Sequence, residues 1–312
     1  QLVADWVQRG LLRAGPDGFT VPPEDIADAP VDPVAIWRRS LTAALAELDE
    51  AGREALEVAA ALGGRVDAQE WRAVCARSRL RPSAELVEAA VRAQIVHRRP
   101  GGFQFAHRVI VDELRELAQT AGRSQRHHRM CATIVELRGQ GSGPQTAARV
   151  ARHLLRAGDT RDALSYLLQA ARGFARVGET TQVIPLLESW ETAANAVGVA
   201  ADTHEWPTVW GLRLDALWLT GDKGHVRAVA RLAASSRGIP QLAGLAHLHR
   251  GLAVYQRGAV ADARLELSRA AASAESAGDD DLMVRVGLER GRLSLESGDL
   301  DGALRRLEAV RQ

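Results

Sequence analysis

A pattern of six residues recurs in this sequence at a spacing of one hundred positions. The residues are small, apolar or acidic, and they follow helical spacing. They are Asp162, Ala163, Leu167, Ala170, Ala171 and Gly178, which return as Asp262, Ala263, Leu267, Ala270, Ala271 and Gly278. Small residues let neighbouring helices approach closely, and glycine accepts the left-handed conformation at a helix end. The pattern predicts an array of α-hairpin repeats.

Glycines mark the expected turns between the helices of this array. They are Gly158, Gly178, Gly221, Gly258, Gly278 and Gly298. After three of them an alanine follows five residues on, at Ala163, Ala263 and Ala303. We therefore predict tetratricopeptide-like (TPR-like) helix pairs over 161–197, 205–236, 241–277 and 280–312. The last pair lacks a polar capping helix, so we expect the array to continue in a longer protein.

A different pattern precedes the repeats. Asp49 and Asp67 stand where they would cap helices, and Arg98–Gly102 separates two short β-prone runs as a hairpin turn would. Three helices followed by a hairpin is the order of a winged helix, and a further helix is predicted from His107 to Gln119. The three helices are predicted over 41–62, 68–76 and 82–93, and the strands over 95–97 and 103–105.

These elements predict an all-α chain with four segments. Residues 1–40, with a helix over 2–12, a hairpin near Phe19 and a proline-rich stretch over 22–33, are expected to be the end of a preceding region and a linker. Residues 41–120 are expected to form a winged-helix-like domain with a short β-hairpin, and 121–160 connecting helices. A TPR-like α-α superhelical solenoid is expected over 161–312. Since the chain starts inside an amphipathic pattern, we expect it to be a piece of a longer protein.

Charge and composition narrow the function classes. The 40 basic residues are interspersed with 39 acidic ones, which gives a net charge of +1 and no broad positive face for nucleic acid. Cys75 and Cys131 are the two cysteines, and their separation argues against zinc and against a disulfide framework. No apolar run approaches the roughly 18 residues that span a membrane. We expect a cytoplasmic protein that contacts neither membrane nor nucleic acid.

The motifs of common catalytic sites are missing from the sequence. There is no Gly-x-x-x-x-Gly-Lys-Ser/Thr loop, no Gly-x-Ser-x-Gly elbow and no His-Glu-x-x-His helix. Adjacent histidines, His127 and His128, are predicted to lie on a solvated helix face. His247 and His249 lie two positions apart and are not expected to share a ligand. The chain is therefore expected to have no catalytic or metal site and no cofactor of its own.

The junction between the second strand and the following helix reads FQFAHRVIVDEL over 103–114, and it resembles the end of the winged helix in STAND signal-transduction ATPases. Three other segments resemble the same architecture: QLVADWVQRGLL, LDEAGREALEVAAALG and HLLRAGDTRDALSYLLQAA. The most similar bacterial members join an AAA-like ATPase to TPR repeats, behind a serine/threonine kinase domain or ahead of a LuxR-type DNA-binding domain. The resemblance covers most of the chain and is strongest from Ala44 to Gly178. It implies that residues 1–40 contain the end of a preceding ATPase or lid region and a linker.

The resemblance implies a role for His107, because it matches the family histidine that senses the β-phosphate of bound ADP. ATP or ADP with Mg²⁺ is then expected in the parent protein, on an upstream nucleotide-binding domain that the winged helix contacts. Many relatives have arginine where this sequence has Val111. The alternative is that His107 only fills the corner between strand and helix.

Tryptophans suggest where a partner binds. Trp206, Trp210 and Trp218 lie near helical spacing in one repeat, and tryptophan is enriched at binding hot spots. Packing between repeats is the alternative for all three. The expected function is that of a regulatory, protein-binding part of a STAND-type ATPase, with a partner protein or peptide on the TPR surface and self-association on opening. The alternatives are a non-enzymatic TPR adaptor, or the regulatory region of a serine/threonine kinase or LuxR-type regulator.

Overall fold

The computed structural model describes residues 13–15, 18–20, 33–83, 85–139 and 143–311. The helix predicted over 2–12 and the proline-rich stretch before Pro33 lie outside these residues. The hairpin expected near Phe19 consists of antiparallel strands β1 (Arg13–Gly15) and β2 (Gly18–Thr20), so its first strand begins earlier than predicted.

The chain divides into two compact units. The first contains the described residues before 143 together with Arg149–Ala163, and the second contains Gly143–Ala148 and the residues from Leu164 onward. No helix within the described ranges is long and apolar enough to cross a bilayer.

Four helices open the first unit. Asp49 and Asp67 cap two of them as predicted, since their carboxylates accept hydrogen bonds from the backbone N–H groups of Gly52 and Glu70 at 2.8 and 2.7 Å. The first helix begins at a proline, before the predicted position 41, because proline is preorganised for the first turn of a helix. The fourth begins later than predicted, since a turn joins Ser83 O to Leu86 N. The helices are α1 (Pro33–Ala46), α2 (Glu50–Leu62), α3 (Ala68–Arg77) and α4 (Leu86–Arg92).

A three-stranded antiparallel sheet packs against these helices. The predicted hairpin is confirmed, with strands β4 (Val96–Arg99) and β5 (Gly102–Phe105). Strand β3 (Arg65–Asp67), which was not predicted, pairs with the other edge of β5 and gives the order β3-β5-β4. Three further helices belong wholly or mostly to this unit: α5 (Arg108–Thr120), α6 (Ser124–Arg138) and α7 (Pro144–Ala157).

Helix α2 is the centre of the first unit, because it packs against α3, α5 and α6. Ala55, Val58 and Ala59 are fully buried, and such small residues allow close packing on several sides of the helix. The indole N–H of Trp71 donates to Ala55 O at 2.8 Å, and its ring meets Phe103 edge-on at 5.4 Å. These contacts fix the sheet against the helices.

Helix pairs joined by short turns make up the second unit. All six predicted turn glycines have positive φ, as have Gly198 and Gly238. Ala170, Ala263 and Ala270 are fully buried, as expected where helices approach closely. The all-α fold with a short hairpin before TPR-like helix pairs is therefore confirmed. The helices are α8 (Thr160–Arg176), α9 (Thr180–Ala196), α10 (Glu205–Leu219), α11 (Gly224–Ser235), α12 (Pro240–Tyr255), α13 (Val260–Ala277), α14 (Asp280–Glu296) and α15 (Leu300–Arg311).

Candidate functional site

The first helices of successive pairs form one face of the second unit, which we call the first-helix face. Helix α10 packs against α12, and α12 packs against α14. At the start of this row, Arg172 of α8 donates to the hydroxyl of Thr208 in α10 at 3.2 Å. Side chains from separate repeats therefore meet on a common surface.

A cavity of about 220 Å³ opens on the first-helix face. Three carboxylates, of Asp215, Asp279 and Asp281, and one guanidinium, of Arg285, give its lining a negative balance. Asp279 also caps α14 by accepting the Leu282 N–H at 2.9 Å. The remaining lining residues are uncharged and belong to α10, α12 and α14: Pro207, Thr208, Gly211, Leu212, Leu245 and Leu282.

An ion pair between Asp215 and Arg285 crosses this cavity, although the two residues are 70 positions apart. Arg285 Nη2 donates to Asp215 Oδ1 at 2.6 Å, and His249 Nε2 lies 3.3 Å from the same oxygen. Partial enclosure favours a raised pKa for Asp215, but the hydrogen bond from His249 and the charge of Arg285 lower the pKa overall. The carboxylate is therefore held in its charged form.

Two buried imidazoles continue this polar chain into the interior. His225 Nε2 lies 3.1 Å from His249 Nδ1. Since His249 Nε2 faces a carboxylate, it carries the proton, and Nδ1 of the neutral ring is then an acceptor for the N–H of His225. Burial lowers the pKa of His249, and burial together with the neighbouring ring lowers the pKa of His225 to about 4. Both rings are neutral at pH 7.

Trp218 ends this chain on the side away from the cavity. Its ring centroid lies 5.1 Å from that of His225, and the residue is half-buried. Of the three tryptophans predicted to bind a partner, Trp218 alone remains partly accessible. Its assignment to partner binding stays a prediction.

The other two tryptophans are buried in the repeats. Trp206 is 8% exposed and meets Trp190 edge-on, with ring centroids 4.9 Å apart. Trp210 is 4% exposed, and the guanidinium groups of Arg213 and Arg231 lie 4.9 and 5.3 Å from its ring. Both side chains therefore pack between helices, which was the alternative interpretation of the sequence. A partner-binding role for either residue stays a prediction.

His107 lies in the first unit, at the junction where the resemblance placed it. It is the N-cap of α5, and its Nδ1 accepts a hydrogen bond from the Val109 N–H at 3.2 Å. The residue is exposed, whereas Val111 is 4% exposed and belongs to the core. A neutral imidazole with Nδ1 as acceptor carries its proton on Nε2, so the ring can present a donor at a helix N-terminus.

The prediction that His127 and His128 lie on a solvated face is wrong. They are 0% and 4% exposed, because helices pack on both sides of α6. His127 Nε2 lies 3.2 Å from Oε2 of Glu57 in α2, and His128 Nδ1 lies 3.0 Å from Nδ1 of His153 in α7. Burial and nearby arginines lower the pKa of His128 to about 4, and burial together with His128 lowers that of His153 to about 2.

Comparison with known proteins gives a structural likeness only. No family model and no curated protein sequence matches the chain. The fold is similar to the crystal structure of a signal transduction ATPase with numerous domains (STAND) protein with a tetratricopeptide repeat sensor from Pyrococcus horikoshii, with 9% identity and a TM-score of 0.39. The likeness covers 90% of this chain and 46% of that one, so the chain spans less than half of that protein. A likeness at this level establishes no family.

Proposed function

We propose that this chain is the regulatory and protein-interaction part of a STAND-type ATP-binding signalling protein. In this proposal the TPR-like pairs bind a partner protein or peptide. The module that contains β3, β4 and β5 acts as a winged helix and docks through His107 on an ADP-bound nucleotide domain. Partner binding favours the open state over the closed one, and opening permits self-association.

The cavity on the first-helix face is the observation that carries the proposal. It combines apolar side chains, such as Leu212 and Leu245, with the charged pair of Asp215 and Arg285. A few placed polar groups among apolar ones are typical of a recognition site. Because carboxylates outnumber guanidinium groups in the lining, we propose that the partner presents a basic side chain here.

The geometry of His107 supports the nucleotide-sensing part. Its Nδ1 is engaged with Val109 N, which orients the ring and assigns the proton to Nε2. A phosphate oxygen that approaches the start of α5 meets this donor and the favourable end of the helix dipole. The contact would hold the winged helix on the nucleotide domain while ADP is bound.

The test is the amount of ADP that copurifies with the protein when its nucleotide-binding domain is present. His107→Ala removes both the imidazole and the helix cap. His107→Asn removes the imidazole but keeps a good N-cap. His97→Ala is the matched control, since His97 is an exposed histidine on strand β4 of the same module.

The proposal expects both His107 variants to lose most of their bound ADP and to shift to larger assemblies in light scattering, while His97→Ala stays like the wild type. Wild-type ADP content and size in His107→Asn would reject the sensor role. Loss of ADP in the alanine variant alone, with a lower melting temperature, would reduce His107 to a helix cap.

A second candidate is a TPR adaptor in which the module that contains β3, β4 and β5 is a static spacer. The observation in its favour is an ion pair between Glu88 of α4 and Arg98 of β4, which ties the hairpin to the helix beside it. This candidate requires partner binding on the first-helix face without any change in ADP content. The same occupancy measurement, made with and without partner, separates the two functions.

A further inference from the structure

A second cavity, of about 210 Å³, lies among α13, α14 and α15, and we call it the arginine cavity. Three guanidinium groups line it against one carboxylate, so its formal balance is three positive charges minus one, or +2. Two serine hydroxyls stand beside them. The lining residues are Arg264, Ser268, Arg290, Leu293, Ser294, Asp299 and Arg306.

Helical spacing aligns these side chains toward a common space. Arg264 and Ser268 are four positions apart on α13, and Arg290 and Ser294 are four positions apart on α14, so each pair lies on one helix face. Arg306 reaches in from α15. The arrangement thus draws donors from three helices.

The carboxylate in the lining already has other bonds. Asp299 caps α15 by accepting the Gly302 N–H at 2.9 Å, and its other oxygen lies 3.6 Å from Arg306 Nη1. The same Arg306 nitrogen donates to Ser294 Oγ at 2.7 Å. Ser294 is 5% exposed, and its hydroxyl keeps a proton for donation while it accepts from arginine. Asp299 and Arg306 therefore form one side of the cavity, and these contacts hold their side chains in place.

Arg264 and Arg290 have no such partner among the residues that the structure describes. Within the described part of the chain, no carboxylate lies within ion-pair distance of Arg264 or Arg290, whereas Arg269 and Arg292 on the same two helices are paired with Glu266 and Glu289. Two unpaired cations that face one small cavity repel each other, and an anion placed between them would relieve the repulsion.

We infer that the arginine cavity binds a phosphate group. Guanidinium groups can donate two parallel hydrogen bonds to the oxygens of a phosphate, and the hydroxyl of Ser294 adds a donor for a remaining oxygen. The Ser268 hydroxyl donates to Arg264 O at 2.9 Å and borders the site without adding a donor. A dianion satisfies the +2 balance of the lining, which a single carboxylate does not. The volume is below the roughly 300 Å³ where small-molecule sites begin, so the site suits a lone phosphate or a phosphorylated side chain rather than a nucleotide.

This inference is independent of the proposed function. None of the residues that line the arginine cavity lines the cavity on the first-helix face, and His107 belongs to the other unit. Failure of either proposal would leave the other standing.

The experiment is calorimetric titration of the 312-residue chain with inorganic phosphate at constant ionic strength, repeated with O-phosphoserine and with acetate. The proposal expects saturable binding of phosphate or O-phosphoserine and much weaker binding of acetate. Tighter binding of inorganic phosphate would identify the ligand as a free ion, and tighter binding of O-phosphoserine would identify it as a phosphorylated side chain. Acetate that binds as tightly as both would overturn the assignment of phosphate.

The variants Arg264→Gln and Arg290→Gln each remove one guanidinium without disturbing a bond that the structure shows for its charge. Each is expected to weaken binding about tenfold, since a charge-assisted hydrogen bond is lost. Arg305→Gln is the matched control, because Arg305 is an exposed arginine of α15 that does not line the cavity. Equal affinity in all three variants, or no saturable binding by the wild type, would contradict the inference.

Discussion

His225 Nε2 and His249 Nδ1 lie 3.1 Å apart in the interior of the second unit, where the two residues are 4% and 0% exposed. One proton is shared along this contact while both rings are neutral. An added proton on either ring would place a cation in a buried site, which burial opposes. The contact therefore couples the stability of the repeats to pH.

Stability of the second unit is expected to fall in mild acid. The unfolded chain binds protons at the ordinary histidine pKa of 6.5, whereas burial holds the pKa of His225 near 4. The contribution is thus complete above about pH 6.5, is lost as pH falls toward 4, and changes little below that. For His225 the loss is on the order of 3 kcal/mol. Urea unfolding followed by tryptophan fluorescence at several pH values measures it.

The variant His225→Gln keeps a donor toward His249 but does not titrate, so its urea midpoint should depend less on pH than that of the wild type. His204→Gln is the control, since His204 is an exposed histidine in the loop before α10. It should follow the wild-type profile. An unchanged pH dependence in His225→Gln would remove the buried pair as the cause.

Loss of the Glu57 charge is expected to destabilise the first unit by about 3 kcal/mol. Glu57 is 3% exposed, accepts two hydrogen bonds from Arg123 at 2.6 and 3.0 Å, and faces His127. Burial favours a raised pKa for Glu57, but these partners lower the pKa overall. The charged carboxylate therefore stabilises the fold at pH values above 4.5, its ordinary pKa, and this stabilisation is lost as the pH falls below that value. Urea unfolding of Glu57→Gln at pH 7 measures the change.

The matched variant is Glu54→Gln on the same helix. Glu54 lies 3.5 Å from Arg126, whose side chain is 53% exposed, so the pair is expected to contribute less than about 1 kcal/mol. Similar losses for the two variants would show that burial of the Glu57 network is not what matters.

Gly102→Ala should disrupt the edge of the sheet where β3 joins β5. A Cβ atom at this position would lie 2.0 Å from Val66 O, and the backbone around it is fixed by strand pairing. We expect a loss of about 2 kcal/mol or more in the free energy of unfolding. Gly64→Ala is the control, because a Cβ there meets no atom within 4 Å. Equal melting temperatures for both variants would contradict the observed strand pairing.

Trp206→Ala should cost about 3 to 5 kcal/mol, the usual range for a buried tryptophan. Trp218→Ala, which removes a half-buried ring beside His225, should cost about 1 kcal/mol. Urea midpoints of the two variants distinguish a packing residue from a surface one. If Trp206→Ala were as stable as Trp218→Ala, the burial of Trp206 between the helices would not contribute to the free energy of unfolding.

The local elements of this protein follow from short stretches of its sequence. The turn glycines, the caps Asp49 and Asp67, and the helical spacing of alanine and leucine act within a few residues of their own position. For this reason the helix pairs and the hairpin could be read directly, with errors mainly at their ends. His107 was placed at the start of a helix by the same local logic, because a cap is defined by the backbone beside it.

Tertiary structure alone decided which polar groups meet. Strand β3 has three residues, too few for an alternating pattern, and it exists because β5 offers an unpaired edge. Asp215 and Arg285 are 70 positions apart, and Glu57 and His127 are also 70 apart. Contacts over such distances depend on which helix faces pack together, whereas periodicity records only that a face is apolar. Both cavities, and the charges that give them chemical character, arise from that packing.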